Sequence, residues 1–347
     1  MPMSRWVMQI SIIITLATES AYSLMIHRLG SDQDKETQIH MTTCLSGGGS
    51  DESWVKGWQL LLKNSGGGDV VILQSDKSTH GYADWLFLNP DQNQFPRLNS
   101  ITTISIDSKS DSYNPEVLKY LKEAEFIFIS GGDQSAYIQY MANTPLEIIL
   151  NSHLKNKTAL FAGTSAGMAV LAGIDYRARY SSPIDPDSLV TSEDVLKDPT
   201  GQFVDLSDDF LVPQFMNHII TETHFGERDR FGRIVGFMAN ALFRKFSNYS
   251  QIKAIAADAG TAFCYNERGQ GQVFGEGSVY FLNATTPPEI LRSEQPLTWK
   301  GNEENALEVQ IVDQSSSVFD LVTWKSKGSV TNENWWVEQG LLYRKTQ

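Results

Sequence analysis

The sequence is short of basic charge, cysteine and long apolar runs, and each shortage removes a class of function. Lys and Arg number 28 against 41 Asp and Glu, a formal net charge of -13. Nucleic-acid backbones and anionic membranes reward basic surfaces, so no nucleic acid and no membrane is expected as the main partner. Only 2 cysteines occur, Cys44 and Cys264, too few for a disulfide framework. Both fall in strand-like segments. Whether they pair or stay as buried thiols turns on a Cα separation that sequence does not supply. Past the N-terminus no stretch is apolar for long enough to span a bilayer. The histidines are His27, His40, His80, His153, His218 and His224. None has H-E-x-x-H spacing, which argues against a zinc site. Repeats and low-complexity tracts are absent.

What is there is enough for one large domain or two modest ones: 347 residues, with 41% hydrophobic and 20% charged, an ordinary globular balance. Arg5, the apolar stretch Val7 to Ala17 and the small residues of Ala21-Tyr22-Ser23 together predict a cleavable signal peptide over 1–23, and hence a secreted or periplasmic protein. After a polar segment from Gly30 to Thr37, strands and helices alternate. "DVVILQS", "ITTISID", "FIFISGGDQ" and "ALFAG" are continuous apolar strands. "DESWVKGWQLLLKN", "NPEVLKYLKEAE" and the zone from Ser135 to Leu154 have helical spacing, as does "DRFGRIVGFMANALFRKF". Such a pattern predicts an α/β fold with a mostly parallel sheet covered by helices on both faces. A polar stretch from Ser181 to Asp208 reads as a long surface loop with a short helix near Ser192 to Leu196. The expected division is an α/β domain over 24–283 and a C-terminal β-rich extension over 284–347.

The chemistry concentrates at "ALFAGTSAGMAVLA". An apolar strand climbs into Gly163-Thr164-Ser165-Ala166-Gly167, and a second apolar run follows at once. In G-x-S-x-G a strand turns sharply into a helix, and small residues flank the turn because the two backbones crowd there. Ser165 would then stand exposed at the sheet's C-terminal edge as a nucleophile, with the Ala166 amide aimed at a developing oxyanion. A serine that merely caps the helix is the plainer alternative.

A serine nucleophile needs a base. His224 closes the strand-like "HIITETHF", at the sheet edge where catalytic residues of α/β folds gather. His153 falls on the helix before the elbow strand and is expected at the surface. His80 lies in a polar loop. Behind His224 come Arg228, Arg230 and Arg233, either a solvated helix face or a cationic pocket for a substrate carboxylate. Downstream, "AIAADAGTAF" offers Asp258 as the acid. The order Ser165, His224, acid is not that of an α/β-hydrolase.

Taken together, "SGGDQ", "GTSAGM", "SLVTSED", "THFGERDRFGRI" and "AADAGTAF" resemble the cyanophycinase-like serine exopeptidases, relatives of aspartyl dipeptidase, over roughly Thr42 to Leu282. The resemblance implies a flavodoxin-like, class I glutamine-amidotransferase-like fold. It implies hydrolysis of β-aspartyl-arginine-type links through an acyl-enzyme, with a peptide or cyanophycin-like polymer as substrate. No metal or organic cofactor is implied, and a homodimer is an open expectation. Residue by residue, Ser165 matches the nucleophile and His224 the general base. Gly132 and Ala166 match the oxyanion hole. Gln134, Arg228, Arg230 and Arg233 match the substrate pocket. Glu222 stands where the family has Asp and would meet a cationic substrate end. Ala259 stands where the family has the glutamate that orients the histidine, leaving Asp258, Glu222 or Asp185 as stand-ins. A catalytically weakened homologue that only binds its dipeptide is the alternative that Ala259 raises. A conventional esterase is disfavoured by the residue order.

Overall fold

The computed structural model describes residues 24–75, 81–88, 90–185, 188–315, 318–328 and 330–347. The expected signal peptide and His80 lie outside them. Among the described residues no helix is long and apolar enough to cross a membrane.

The first half of the chain builds the parallel centre of a sheet. Its strands are β1 (Met25–Gly30), β2 (Thr42–Ser46), β3 (Asp69–Gln74), β4 (Ser100–Ser105), β5 (Phe126–Ile129) and β6 (Leu160–Thr164). Five of them run parallel in the order β4-β3-β5-β6-β2. Every residue of β2 to β6 is buried, which is why β3, β5 and β6 carry apolar runs rather than an alternation; the Ser and Thr residues of β2 and β4 are buried as well. β1 was not foreseen; it closes one edge antiparallel to β4, pairing Met25 with Ser105.

The helices cover both faces. α1 (Val55–Asn64) buries Trp58, Leu61 and Leu62 on one side against Val70, Ile72, Phe126 and Phe128. On the other side lie α3 (Pro115–Lys122), α4 (Gln134–Met141) and α5 (Pro145–Asn156), over Val71, Leu73, Ile127 and Ile129. The alternation of strand residues between these two cores is the period of 2 expected of a pleated strand. The single helical zone expected from Ser135 to Leu154 is two helices. Thr144 caps the second, its Oγ1 accepting from the Glu147 amide, with Pro145 in the first turn, a strong start signal. The helical turn α2 (Gly81–Ala83) precedes β4.

The rest of the chain extends this sheet and adds a second. After the elbow helix α6 (Ala166–Ala169) come the short pair β7 (Asp175–Tyr176) and β8 (Leu206–Ser207), with α7 (Ser192–Lys197) between them. Then follow β9 (Ile219–Glu222), α8 (Phe231–Phe243), β10 (Lys253–Ala257), β11 (Thr261–Asn266), β12 (Gln270–Gly275) and β13 (Ser278–Ala284). The last strands are β14 (Leu307–Asp313), β15 (Phe319–Asp320), β16 (Lys325–Ser326), β17 (Thr331–Glu338) and β18 (Leu341–Thr346). β11, β12, β15 and β16 continue the first sheet beyond β2, and the second has the order β18-β17-β14-β13-β10-β9. Residues 284–347 therefore add strands to both sheets and share their cores: Phe319 and Trp324 pack in the core with Phe263 and Phe281, and Trp335 and Val337 in that of α8. In the fold, Cys44 faces Cys264 directly across the β2–β11 ladder, and the two form a disulfide.

Candidate active site

Three neighbouring parallel strands, β5, β6 and β2, end side by side, and their C-terminal loops carry Gly131-Gly132, Ser165 and Gly47-Gly48-Gly49. From the second sheet, β9 and β10 run parallel and end in the turns holding His224 and Asp258. The site forms where the two sets of strand ends meet, the location expected in α/β proteins.

Ser165 sits on a strained turn, with φ 51 and ψ -113, a conformation that costs a non-glycine residue about 1–3 kcal/mol. The fold enforces it from both sides. The Ser165 amide donates to Ser46 O at 3.0 Å, and the Ala169 amide to Ser165 O at 3.0 Å. The flanking glycines are required by contact: a Cβ at Gly163 would lie 2.3 Å from Gly167 O, and one at Gly167 would lie 1.9 Å from Ile129 O. The following helix is only four residues long, far shorter than the apolar run suggests.

The Ser165 Oγ and His224 Nε2 are 3.0 Å apart, so the two residues predicted from separate motifs meet within proton-transfer distance. Ser165 is partly exposed. His224 also has a positive φ of 44 and is pinned by its amide to Gly47 O at 2.8 Å. Burial, then the Arg228 and Arg230 charges, push its pKa down to about 4, against the opposing fields of Glu227 and Glu222. The imidazole is thus neutral and able to accept a proton across the physiological range. Beside the pair lies Gly48, where a Cβ would be 2.4 Å from His224 Nε2 and 3.0 Å from Ser165 Cβ.

On the oxyanion side, Ala166 is buried at the start of α6. Gly132, with φ 129, turns its α-carbon toward Ser75, whereas a Cβ on Gly131 would come 3.5 Å from Ser165 Cβ. Of the two, Gly131 is the glycine beside the serine. Gln134 opens α4 and reaches toward the Tyr176 carbonyl at 3.4 Å.

The structure places the other expected site residues as follows. The Asp258 carboxylate accepts from the Gly226 amide and the Ser278 amide, each at 3.0 Å, and makes no hydrogen bond to His224 among the described residues. It holds the histidine turn rather than the imidazole. Glu222 is buried and binds Arg233 through both oxygens, Nε at 2.8 Å and Nη2 at 2.6 Å, with Arg230 at 3.3 Å. Burial alone would raise the Glu222 carboxyl, but Arg233 and Arg230 hold it below the usual carboxylate range. It is the centre of a structural ion cluster, not a group facing a substrate. Truncation of a buried charge that holds two others is expected to be severe: Glu222→Ala should lower unfolding stability by about 3–5 kcal/mol in a denaturant titration. Asp185 bonds the Ser188 hydroxyl in the loop after β7, and His153 is buried, bridging Thr158 Oγ1 and Leu121 O.

Arg230 and Arg233 line a cavity of about 440 Å³ together with Val190, Ser192 and Arg228; neither Ser165 nor His224 is among its lining residues. Arg228 is exposed and has no ion pair among the described residues. The network missed entirely by sequence reasoning lies under the elbow. Asp51, just after Gly47-Gly48-Gly49, is buried and accepts from Trp54 Nε1 at 2.8 Å and Thr164 Oγ1 at 2.9 Å, and from the Tyr82 hydroxyl. Burial raises its pKa against those bonds. The signal was its place one turn after the glycines that abut the elbow.

The fold and site define an α/β protein with a serine–histidine pair on a nucleophile elbow. Residues 92–242 match Peptidase family S51. The chain is 23% identical over 197 residues to the cyanophycinase of Trichormus variabilis, covering 56% of each chain, and 23% identical over 238 residues to that of Synechococcus elongatus, covering 68% of this chain and 66% of that one. The matches thus span between half and two thirds of the relatives' length. A peptidase from an acI-B1 Actinobacterium is similar in structure at 16% identity and TM-score 0.47, over 70% of this chain and 91% of that one. Over these stretches the chain is similar to peptidase family S51 and to cyanophycinases.

Proposed function

We propose that this protein is a secreted or periplasmic serine-type exopeptidase that cleaves β-aspartyl-arginine-type peptide links. The observation that carries the reading is the 3.0 Å approach of Ser165 Oγ to His224 Nε2 on a strained turn between crossing backbones. Ser165 attacks the scissile carbonyl carbon while its proton passes to His224 Nε2. The Ala166 amide, with an amide of Gly131 or Gly132, receives the charge that develops on the carbonyl oxygen. His224 then gives its proton to the departing amine. Water, deprotonated by the same imidazole, releases the acyl group and restores the serine. Arg228, exposed at the cavity rim, receives a substrate carboxylate.

The reading is tested by incubating the purified protein with cyanophycin and a panel of β-aspartyl dipeptides, and by treating it with a fluorophosphonate probe. Product release with label on Ser165 is expected; absence of both would reject it. Retained dipeptide binding without label supports instead the second reading, a binding homologue, which is favoured because no carboxylate among the described residues is bonded to His224. The base must be neutral to act, so activity is lost as pH falls through the His224 pKa. The acid limb of kcat/KM should therefore lie near pH 4 rather than near the ordinary 6.5. A limb at the ordinary value would show that burial and the two arginines do not depress this imidazole; loss of the limb in His224→Gln assigns it to the histidine.

A further inference from the structure

The imidazole of His224 is held at Nε2 by Ser165, yet no described residue bonds its Nδ1. Three nearby carboxylates are otherwise engaged. Asp258 is held by two backbone amides. Glu222 is saturated by Arg233 and Arg230. Asp51 is closed off beneath the elbow. Position 259 carries only a methyl group.

Glu227 is different. It lies in the turn that begins at His224, closed by the Arg228 amide donating to His224 O at 3.1 Å. Its Oε1 accepts from the Ala259 amide at 2.8 Å, while its Oε2 takes no hydrogen bond from a described residue. The two turns are latched in both directions: the Phe225 amide to Ala257 O at 3.2 Å, the Gly226 amide to Asp258 Oδ1 at 3.0 Å, and the Ala259 amide to Glu227. This places a carboxylate against the backbone of residue 259, within the turn that aims the histidine, and with one oxygen uncommitted.

We propose that Glu227 is the positioning residue of His224, a carboxylate delivered from the histidine's own turn to support the imidazolium that forms when Ser165 gives up its proton. The inference rests on the serine-peptidase reading above. The charges bearing on His224 are Arg228 and Arg230, which disfavour its protonation, and Glu227 and Glu222, which favour it, Glu227 the more strongly. Glu222 is neutralised by its two arginines, so Glu227 is the carboxylate whose field is available to the imidazolium. A turn-borne acid also explains why Ala259 can be tolerated.

The test compares Glu227→Gln and Glu227→Asp in the full protein. Glutamine keeps an oxygen for the Ala259 amide, so the turn stays latched while the charge is gone. Two readouts are taken: the rate of fluorophosphonate labelling of Ser165 against pH, and the titration of His224 Cε1–H by NMR, assigned with His224→Gln. Glu227→Gln is expected to slow labelling on the order of tenfold, and to move both the acid limb and the NMR titration to lower pH; Glu227→Asp should retain more of both. A merely structural residue would lower the plateau and leave the His224 titration in place. An unchanged titration in Glu227→Gln overturns the proposal whatever the labelling rate. If the wild-type protein fails to label, the peptidase reading fails by itself, and the NMR titration still decides whether Glu227 governs the imidazole.

Discussion

Replacing Ser165 by alanine is expected to reduce cleavage of a β-aspartyl-arginine dipeptide by about 10⁴-fold or more, because without the hydroxyl no acyl-enzyme can form. What survives is stabilisation from the remaining amides and from substrate binding. The substitution is clean for a structural reason. The strained φ of 51 is no worse for alanine than for serine, and the turn is held by backbone bonds to Ser46 and Ala169 that do not involve the hydroxyl. Melting temperature should therefore stay close to that of the wild type, and dipeptide binding, measured by calorimetry, should persist. Equal turnover in Ser165→Ala would mean that the 3.0 Å pairing with His224 is a packing contact and that the hydrolytic centre lies elsewhere.

The parallel centre of the fold was legible because its strands are buried on both faces; "FIFI" and the "VVIL" of β3 are continuous apolar runs that needed no tertiary information. β1 was not, since "MIHRLG" is a half-buried edge strand whose residues carry no clean alternation. The second sheet was visible only as separate strands. Its identity as a sheet depends on pairings such as Lys253 with Ile219, far apart in the chain. At the site, Ser165 and His224 were legible because motif chemistry is local: small residues at a crossing, and a histidine ending a strand. The contacts of Asp258 were not legible because its partners are the amides of Gly226 and Ser278, backbone groups without a sequence signature. The pairing of Glu222 was hidden for a different reason: it lies eleven positions before Arg233, and nothing in the order of residues says that strand β9 and helix α8 bring the two together away from solvent.

Gly48 is the clearest case of a residue whose importance only packing reveals, and Gly48→Ala should separate catalysis from folding. With φ 95, alanine is strained by about 1–2 kcal/mol. The added methyl would lie 2.4 Å from His224 Nε2 and 3.0 Å from Ser165 Cβ, both inside van der Waals contact. The yielding group is the imidazole tip, since Ser165 is fixed by its elbow while the His224 side chain can rotate. Rotation breaks the Ser165–His224 hydrogen bond, so the serine loses its base and hydrolysis should fall by about 10²–10⁴-fold. The global fold gives little, so unfolding stability should drop by no more than about 1–3 kcal/mol. Gly167→Ala supplies the contrast. Its methyl would lie 1.9 Å from Ile129 O, a backbone atom of β5, and a central strand cannot swing aside as a ring can. That variant should lose folding and activity together, seen as loss of the cooperative thermal transition. If Gly48→Ala instead keeps full activity, the imidazole does not occupy the space beside Gly48 during turnover, and the pairing at the strand ends is not the working arrangement.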